Sequence, residues 1–386
     1  MADTLRVAII GCGLGGATAA VFLQRAGFDV KVYEQAPVLT RVGAGISLGP
    51  NVMNVIKHMG LYEQFTSTGT VARQRLSRAW DTGEILNEVS YTKYGEIYGA
   101  VMMSMHRGDM IDILTSPLKP GTIEFAKRAV GFDEAANGVV TIRFEDGTSA
   151  EADVVVGADG VNSKVREALL GVEPPHYTGF VAYRSIFKAD LLGDFRPMGD
   201  HTKWWTTESF PAKEDRHFIS YYLTNARDEL YFVTGSPDAN WDPTRSNVPV
   251  DTKEILECYE GFHDEVQRII KACPAATKWP LLERKPLTLW SRGNIVLLGD
   301  ACHPMKPHMG QGAGMAIEDA AMLARCLKGA TNVPEALQTY EYNRKDRTKR
   351  VQDTSRINTW LKYPTDTDWV YAYDAVNVPI AKPEAA

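Results

Sequence analysis

A basic excess, long apolar runs and a cysteine framework are all missing from this sequence, and each absence removes a class of function. Its 386 residues carry 42 lysines and arginines against 48 aspartates and glutamates, a formal net charge of -6. A nucleic-acid reader needs a basic patch or stripe. The densest basic run, Arg344 to Arg350, is interrupted by Asp346 and lies in a helix-like stretch, so it is expected to be a solvated face. No segment approaches the ~20 apolar residues needed to span a bilayer. The opening MADTLRVAIIGCG has no charged leader followed by an apolar region and a cleavage site, so a cytoplasmic chain with no membrane partner is expected. The five cysteines (Cys12, Cys258, Cys273, Cys302, Cys326) are odd in number and irregularly spaced, which suggests neither disulfides nor a metal site. There is no internal repeat or low-complexity tract, and no coiled-coil pattern from which to read an oligomeric state.

What is present is an ordinary soluble composition, 44% hydrophobic and 23% charged, long enough for two interleaved domains. Leu5 to Ile10 is a short apolar run ending at Gly11, as a buried parallel strand would be. Gly13 to Ala26 has helical apolar spacing and stops at Gly27; Phe28 to Tyr33 is a second strand, completing a βαβ unit. Asn51 to Gly60 predicts a further helix. Thr141–Phe144 and Ala152–Val156 predict strands around the Asp146-Gly147 turn. From Tyr177 to about Pro286 aromatics and strand-like alternation dominate, as in Phe218–Leu223 and Leu230–Thr234, until a helical stretch from Thr252 to Ala272. Asn294–Leu298 returns to a buried strand, Gly310–Leu327 to a helix, and a charged helix runs from about Val333 to Thr359. The tail after Ala375 shows no periodicity and is expected to be loose. The expected class is α/β. A discontinuous dinucleotide-binding domain takes 1–176 and 287–330, a sheet-rich substrate domain takes 177–286 with some strands near 70–105, and the C-terminal helix and tail take 331–386.

Chemistry concentrates in three segments. The first is Gly11-Cys12-Gly13-Leu14-Gly15-Gly16, between a strand and a helix, with Glu34 closing the next strand. Gly11 permits the tight turn, Gly13 lets the backbone approach a pyrophosphate, Gly16 allows close helix packing, and the helix N-terminus offers free N–H groups. Glu34 stands where a carboxylate binds ribose hydroxyls. FAD and NAD share this fingerprint, so by itself it does not choose between them. The second segment, Ala158-Asp159-Gly160-Val161-Asn162-Ser163-Lys164-Val165-Arg166, and the third, Gly299-Asp300-Ala301-Cys302-His303-Pro304 continuing through Pro307 to Gly310-Gln311-Gly312, each follow a strand.

Together the three resemble the signatures of the group A flavoprotein hydroxylases, the family of para-hydroxybenzoate and salicylate hydroxylases. The resemblance implies a Rossmann-like FAD domain with an inserted sheet domain, FAD as cofactor, and NADH or NADPH as transient electron donor with dioxygen. It assigns Asp300 to the ribityl chain and Gly310-Gln311-Gly312 to the pyrimidine end of the flavin. Asp159 would serve FAD and the nicotinamide donor, Arg166 a structural or phosphate-directed role, and Arg107 of Met105-His106-Arg107-Gly108-Asp109 would lie over the flavin. A second G-x-G-x-x-G unit and a C-x-x-x-x-C pair, both expected of a disulfide reductase, are absent, as is the Trp-x-Trp-x-Ile segment of flavin halogenases. A non-hydroxylating dehydrogenase or an FAD-binding sensor is the alternative class.

Across nearly its full length the chain also resembles a narrower branch, the 6-hydroxynicotinate 3-monooxygenases. The matching stretches include Gly43-Ala44-Gly45-Ile46, Gly49-Pro50-Asn51-Val52-Met53, Lys203-Trp204-Trp205, Tyr231-Phe232-Val233-Thr234-Gly235 and Thr277-Lys278-Trp279-Pro280-Leu281. Such enzymes replace a ring carboxylate by hydroxyl and release carbon dioxide. A phenol-like pKa of ~10 leaves only about one ring hydroxyl in a thousand ionised at pH 7, so a positioned base or hydrogen-bond partner is worth a few kcal/mol. The carboxylate itself wants a cationic or N–H-rich cradle. The resemblance implies that His217 orients or deprotonates the ring hydroxyl and that Tyr221 bonds the substrate; a sheet histidine and a core tyrosine would show the same spacing. His303 would hold substrate, relay a proton, or simply start a helix. Two pocket positions depart from the branch: Ser47 replaces a histidine and His201 a cysteine. With Pro307 they are expected to wall the substrate pocket, and a salicylate-like acid or another hydroxypyridine carboxylate stays open.

Overall fold

The computed structural model describes residues 4–383 except 42, 243 and 244. Strand Arg6–Ile10 is buried on both faces, which its unbroken apolar run requires. It pairs in parallel with Asp29–Tyr33 and with Val154–Gly157, the centre of a six-stranded sheet. Beyond Val154–Gly157 lie Ile295–Leu297 and the antiparallel edge Ser291–Arg292; beyond Asp29–Tyr33 lies Ile123–Glu124. The C-terminal ends of the three central strands therefore open side by side, delivering Gly11, Asp159 and Asp300 to one edge. Helices Leu14–Arg25 and Gly312–Leu327 cover this sheet, their alanine-rich faces allowing close approach.

The second layer is an eight-stranded sheet in the order Val248–Val250, Ala276–Glu283, His176–Lys188, Glu229–Pro237, His217–Tyr222, His201–Trp205, Gln74–Ala79, Ile85–Ser90. It is antiparallel except where His201–Trp205 runs parallel to Gln74–Ala79. Its far face is sealed by an aromatic core around Trp204, Phe218, Phe232 and Tyr259. The near face looks towards the dinucleotide edge of the first sheet, so period-two alternation sends His201, Lys203, His217 and Tyr221 the other way from Trp204 and Phe218. A small sheet of Gly45–Leu48, Met103–His106 and Thr70–Val71 bridges the two layers.

The structure corrects three expectations. The stretch from Thr252 to Ala272 is two helices, Thr252–Cys258 and Asp264–Ala272, because Gly261 adopts φ +78° between them and His263 caps the second. The basic run on helix Val333–Ile357 is only partly a solvated face. Lys349 and Arg350 are exposed, but Arg344 is completely buried and pairs with Glu318 and Asp319, while Arg347 pairs with Glu318. Helical periodicity aims every third or fourth residue inward even in a charged stretch. The tail after Ala375 is tied down as far as it is described: Arg325 donates to the carbonyls of Ala375 and Val378, and Asn343 donates to that of Ala381. Residues 384–386 lie outside the described residues.

Candidate active site

Two cavities meet between the layers. The larger, about 1050 Å³, is lined by Gly11, Gly13, Gly15, Glu34, Arg107, Asp159, Asp300 and Gly312 among others. Its wall is backbone wherever the first motif runs. A Cβ on Gly11 would lie 2.6 Å from the Ala158 carbonyl, and one on Gly16, just behind the wall, would collide with the Gly11 carbonyl. Glu34 caps the turn: its carboxylate accepts from the N–H of Cys12 at 2.8 Å and of Ala36 at 2.9 Å. Asp159 accepts from the N–H of Lys164 and Val165 through one oxygen, while its other oxygen is buried without a partner; burial raises its carboxyl above the usual range. The Arg107 side chain starts helix Arg107–Thr115 and reaches within 3.6 Å of where a Gly13 Cβ would stand. This volume exceeds the roughly 300–1,000 Å³ of ordinary small-ligand pockets. A backbone wall at a helix N-terminus, the cationic side chains Arg107, Lys127, Arg128 and Lys164, and an orphaned carboxylate oxygen together fit a dinucleotide of FAD size.

The smaller chamber, about 280 Å³, shares Ile46, Asp300, Gly312 and Ala313 with the first, so Asp300 stands at the junction. There it projects into open space although protein surrounds it, and this enclosure pushes its carboxyl upward. The chamber's walls bring together Ser47, His201, His217, Tyr221, Pro307, Gly310 and Gln311. Gly310 takes a left-handed φ of +66°, ending the turn Pro307–Met309 and starting the approach to helix Gly312–Leu327. That helix aims its free N-terminal N–H groups at the junction. Tyr221 donates its O–H to the Gly45 carbonyl at 3.0 Å, so its oxygen faces a ligand only as an acceptor. Ser47 contacts the Met102 sulfur at 3.8 Å. His201 lies cross-strand from Tyr221, with ring centroids 5.0 Å apart and its Nε2 buried without a partner.

The chamber is electropositive. Arg75, Arg184, Lys203 and Lys306 line it, against Asp300 as the acidic side chain among the described lining residues. Arg75 is buried with its Nε and Nη2 lacking partners, and Arg184 has an orphaned Nε as well. Burial drives Lys203 well below the ordinary lysine range, with Arg75 adding repulsion. Burial, then the Arg75 charge, lowers His201 to about 3; burial, then Lys203, lowers His308 to about 3. Burial, then Lys203, His308 and Arg75, holds His217 well below its usual range. All three imidazoles are therefore neutral at pH 7. Of the residues met here, Arg75, Arg184, Lys203 and His308 receive no role from the sequence. A charge in the middle of a strand, followed directly by two tryptophans, as Lys203 is, is the available signal.

His303 lies elsewhere than the sequence suggested. It lines neither cavity; it is buried with Nε2 2.5 Å from Asp319, which also accepts from Arg344. Arg344 and Arg347 bind Glu318, which accepts from Asn51, which in turn donates to Gln311 at 3.0 Å. This buried chain fastens the Gly299–Pro304 loop and the Gln311 turn to the long C-terminal helix, and His303 belongs to it rather than to a ligand surface. Arg166 is also structural: it is buried and paired with Glu173. No group of ligands that could hold a metal occurs among the described residues, and no helix is long and apolar enough to cross a membrane.

Such a junction of a glycine-walled dinucleotide cavity with a small polar chamber defines a flavoprotein. A family model described as an FAD binding domain matches residues 4–355, and the chain belongs to that family. Within it, the chain is 46% identical over 380 residues to the 6-hydroxynicotinate 3-monooxygenase of Bordetella bronchiseptica, covering 98% of this chain and 97% of that one. It is 45% identical to the enzyme of that name from Pseudomonas fluorescens, covering 100% and 99%. Among solved structures, a salicylate hydroxylase substrate complex superposes with a TM-score of 0.83 at 25% identity over the whole of both chains. The protein is an FAD-dependent monooxygenase, of a family in which NAD(P)H and dioxygen are the typical co-substrates.

Proposed function

We propose that this monooxygenase acts on a hydroxylated pyridine or benzene carboxylic acid, 6-hydroxynicotinate before others, replacing the ring carboxylate by hydroxyl with release of carbon dioxide. The observation that carries this reading is the chamber's unpaired cationic donors. Arg75 keeps two guanidinium nitrogens, Nε and Nη2, buried and unbonded, and each dry donor costs about 1–3 kcal/mol. An aromatic carboxylate returns that cost through charge-assisted hydrogen bonds. The chamber is too small for a second dinucleotide and suits one ring with its substituents.

Gly11, Gly13, Gly15 and Gly16 with their helix N-terminus hold the pyrophosphate of FAD, and Glu34 holds the ribose hydroxyls. Asp300 holds the ribityl chain, Asp159 lies beside it, Arg107 covers the flavin, and Gly310, Gln311 and Gly312 meet its pyrimidine end. Bound FAD, once reduced by NADH or NADPH, supplies with dioxygen an electrophilic oxygen for a ring carbon, the second oxygen atom leaving as water. His217 orients the ring hydroxyl, Tyr221 accepts a hydrogen bond, and Arg75 cradles the carboxylate. Ser47, His201 and Pro307 complete the wall and set which ring fits. The unbridged state of all five cysteines supports a cytoplasmic location.

The test is NADH oxidation by the purified holoenzyme with 6-hydroxynicotinate, salicylate and para-hydroxybenzoate in turn, with carbon dioxide and product measured. Fast NADH loss with one carbon dioxide per turnover on 6-hydroxynicotinate is expected. Stimulation by salicylate alone would move the substrate, and stimulation by none of the acids would remove the reading.

A further inference from the structure

His217 and His308 face one another in the chamber with ring centroids 5.4 Å apart. Each is held from behind by the end of the long C-terminal helix, and the two holds differ in sign. His308 Nδ1 lies 2.7 Å from the Ser355 carbonyl, which can only accept, so Nδ1 carries the proton and Nε2 the lone pair. His217 Nδ1 lies 3.3 Å from the Asn358 side-chain amide nitrogen. That amide has its orientation fixed by two other partners. Its nitrogen donates to the exposed carboxylate of Asp215 at 2.8 Å, and its oxygen accepts from Lys203 Nζ at 3.0 Å. The nitrogen's two hydrogens thus meet two acceptors, Asp215 and His217, and His217 must present a lone pair at Nδ1 and a proton at Nε2.

We propose that the end of the Val333–Ile357 helix fixes His217 and His308 in opposite tautomers, so that the chamber offers one imidazole donor and one imidazole acceptor to the substrate's ring oxygen. A ring C–O–H both accepts and donates, and matches the pair. A hydroxypyridine in its lactam form matches it too, through its carbonyl and adjacent N–H. His217 then stabilises charge on the ring oxygen by donating to it rather than by removing its proton, and Asn358 is a positioning residue. The other groups facing His217 are Lys203, Arg75 and His308, all of which disfavour a second proton on the ring. Gly235 lies cross-strand behind the imidazole, and its lack of a side chain makes room for the ring, since a Cβ there would stand 2.7 Å from Nδ1. Asn358 itself takes a left-handed φ of 52°, a conformation that Asn, Asp and Gly tolerate best. Asn358→Asp and Asn358→Gly therefore change the side chain with the backbone kept.

The inference rests on the proposed function only for the identity of the ring, so its test has two arms. In the first, substrate-free holoenzyme labelled with 15N-histidine is studied by NMR, the two signals being identified by loss in His217→Gln and His308→Gln. The expected result is a proton on Nε2 of His217 and on Nδ1 of His308, with Asn358→Asp moving the His217 proton to Nδ1. In the second, 6-hydroxynicotinate and nicotinate are titrated against the flavin absorbance. Wild type should prefer the hydroxylated acid by about ten-fold or more, and Asn358→Asp should lose about ten-fold of that preference with nicotinate binding unchanged. A merely structural Asn358 would weaken both acids alike, as would be seen for Asn358→Gly, and that result overturns the inference. So does a proton on Nδ1 of wild-type His217. Opposite tautomers without any preference for the hydroxylated acid would overturn the recognition and, with it, the proposed function.

Discussion

The two cavities that meet at Asp300 are built in opposite ways. The larger is walled along its motifs by main chain, with glycines at the ends of parallel strands, a helix N-terminus and the carboxylates that tie the turns together, and elsewhere by side chains such as Arg107 and Lys127. The smaller is walled by side chains contributed from well-separated parts of the chain, including Arg75, Arg184, His201, His217, Pro307 and Tyr371. A backbone site tolerates no added atoms but asks little of side-chain identity. A side-chain site keeps its shape through substitution and changes what it binds. The first suits a cofactor common to a family, the second a substrate that differs between its members.

The largest effect should come from adding atoms to the backbone wall. Gly16→Val sets its Cβ on the Gly11 carbonyl, and the purified protein should carry less than about a tenth of the wild-type flavin, read from absorbance at the flavin band. Asp300→Ala should weaken FAD retention, while a chamber variant such as His217→Gln leaves it intact. Reversed phenotypes would abolish the division between the cavities.

Next in size is the buried chain that joins them. Arg344→Met takes one buried cation from both Glu318 and Asp319, leaving them Arg347 and His303, and breaking a buried pair costs about 3–5 kcal/mol. A lowered thermal midpoint is expected together with looser FAD, because Gln311 and the His303 loop depend on the same network. An unchanged midpoint would mean that the network does not support the junction. His217→Gln should slow turnover by about ten- to a hundred-fold, the worth of a hydrogen bond to a charged group, with flavin content unchanged.

The smallest effect is on pH. His201 and His308 are lowered to about 3 in the folded protein, against about 6.5 unfolded. Below the unfolded value the unfolded chain binds more protons, so the stability these residues contribute is full above about pH 6.5 and drains away as pH falls towards 3. His201→Asn should flatten the fall of the thermal midpoint between pH 7 and pH 5. An equally steep fall in the variant would show that the chamber's neutral imidazoles contribute nothing to it.

The same contrast explains what could be read from the sequence. Gly11, Gly13 and Glu34 stand at fixed spacings because a strand, a turn and a helix follow directly in the chain, so their geometry is local and the spacing encodes it. His217 and Tyr221 were legible as a pair because strand alternation puts them on one face. Arg75 was not, since its place beside His201 depends on a parallel pairing between segments far apart in sequence. His303 departs from a ligand-facing role for a related reason. Its motif neighbours reach the ligand cavities, but one partner, Asp319 on the following helix, draws its ring into the core. Arg344 looked solvated in a basic run because the acids it meets sit on another helix.

The measurement that bears most directly on this account is made on Arg75→Met: flavin content after gel filtration, then titration of 6-hydroxynicotinate against the flavin absorbance. The account predicts full FAD content with binding weakened by about a hundred-fold, the loss of a buried charge-assisted contact. Loss of FAD, or unchanged affinity for the acid, would contradict the separation of a backbone-built cofactor cavity from a cation-lined substrate chamber.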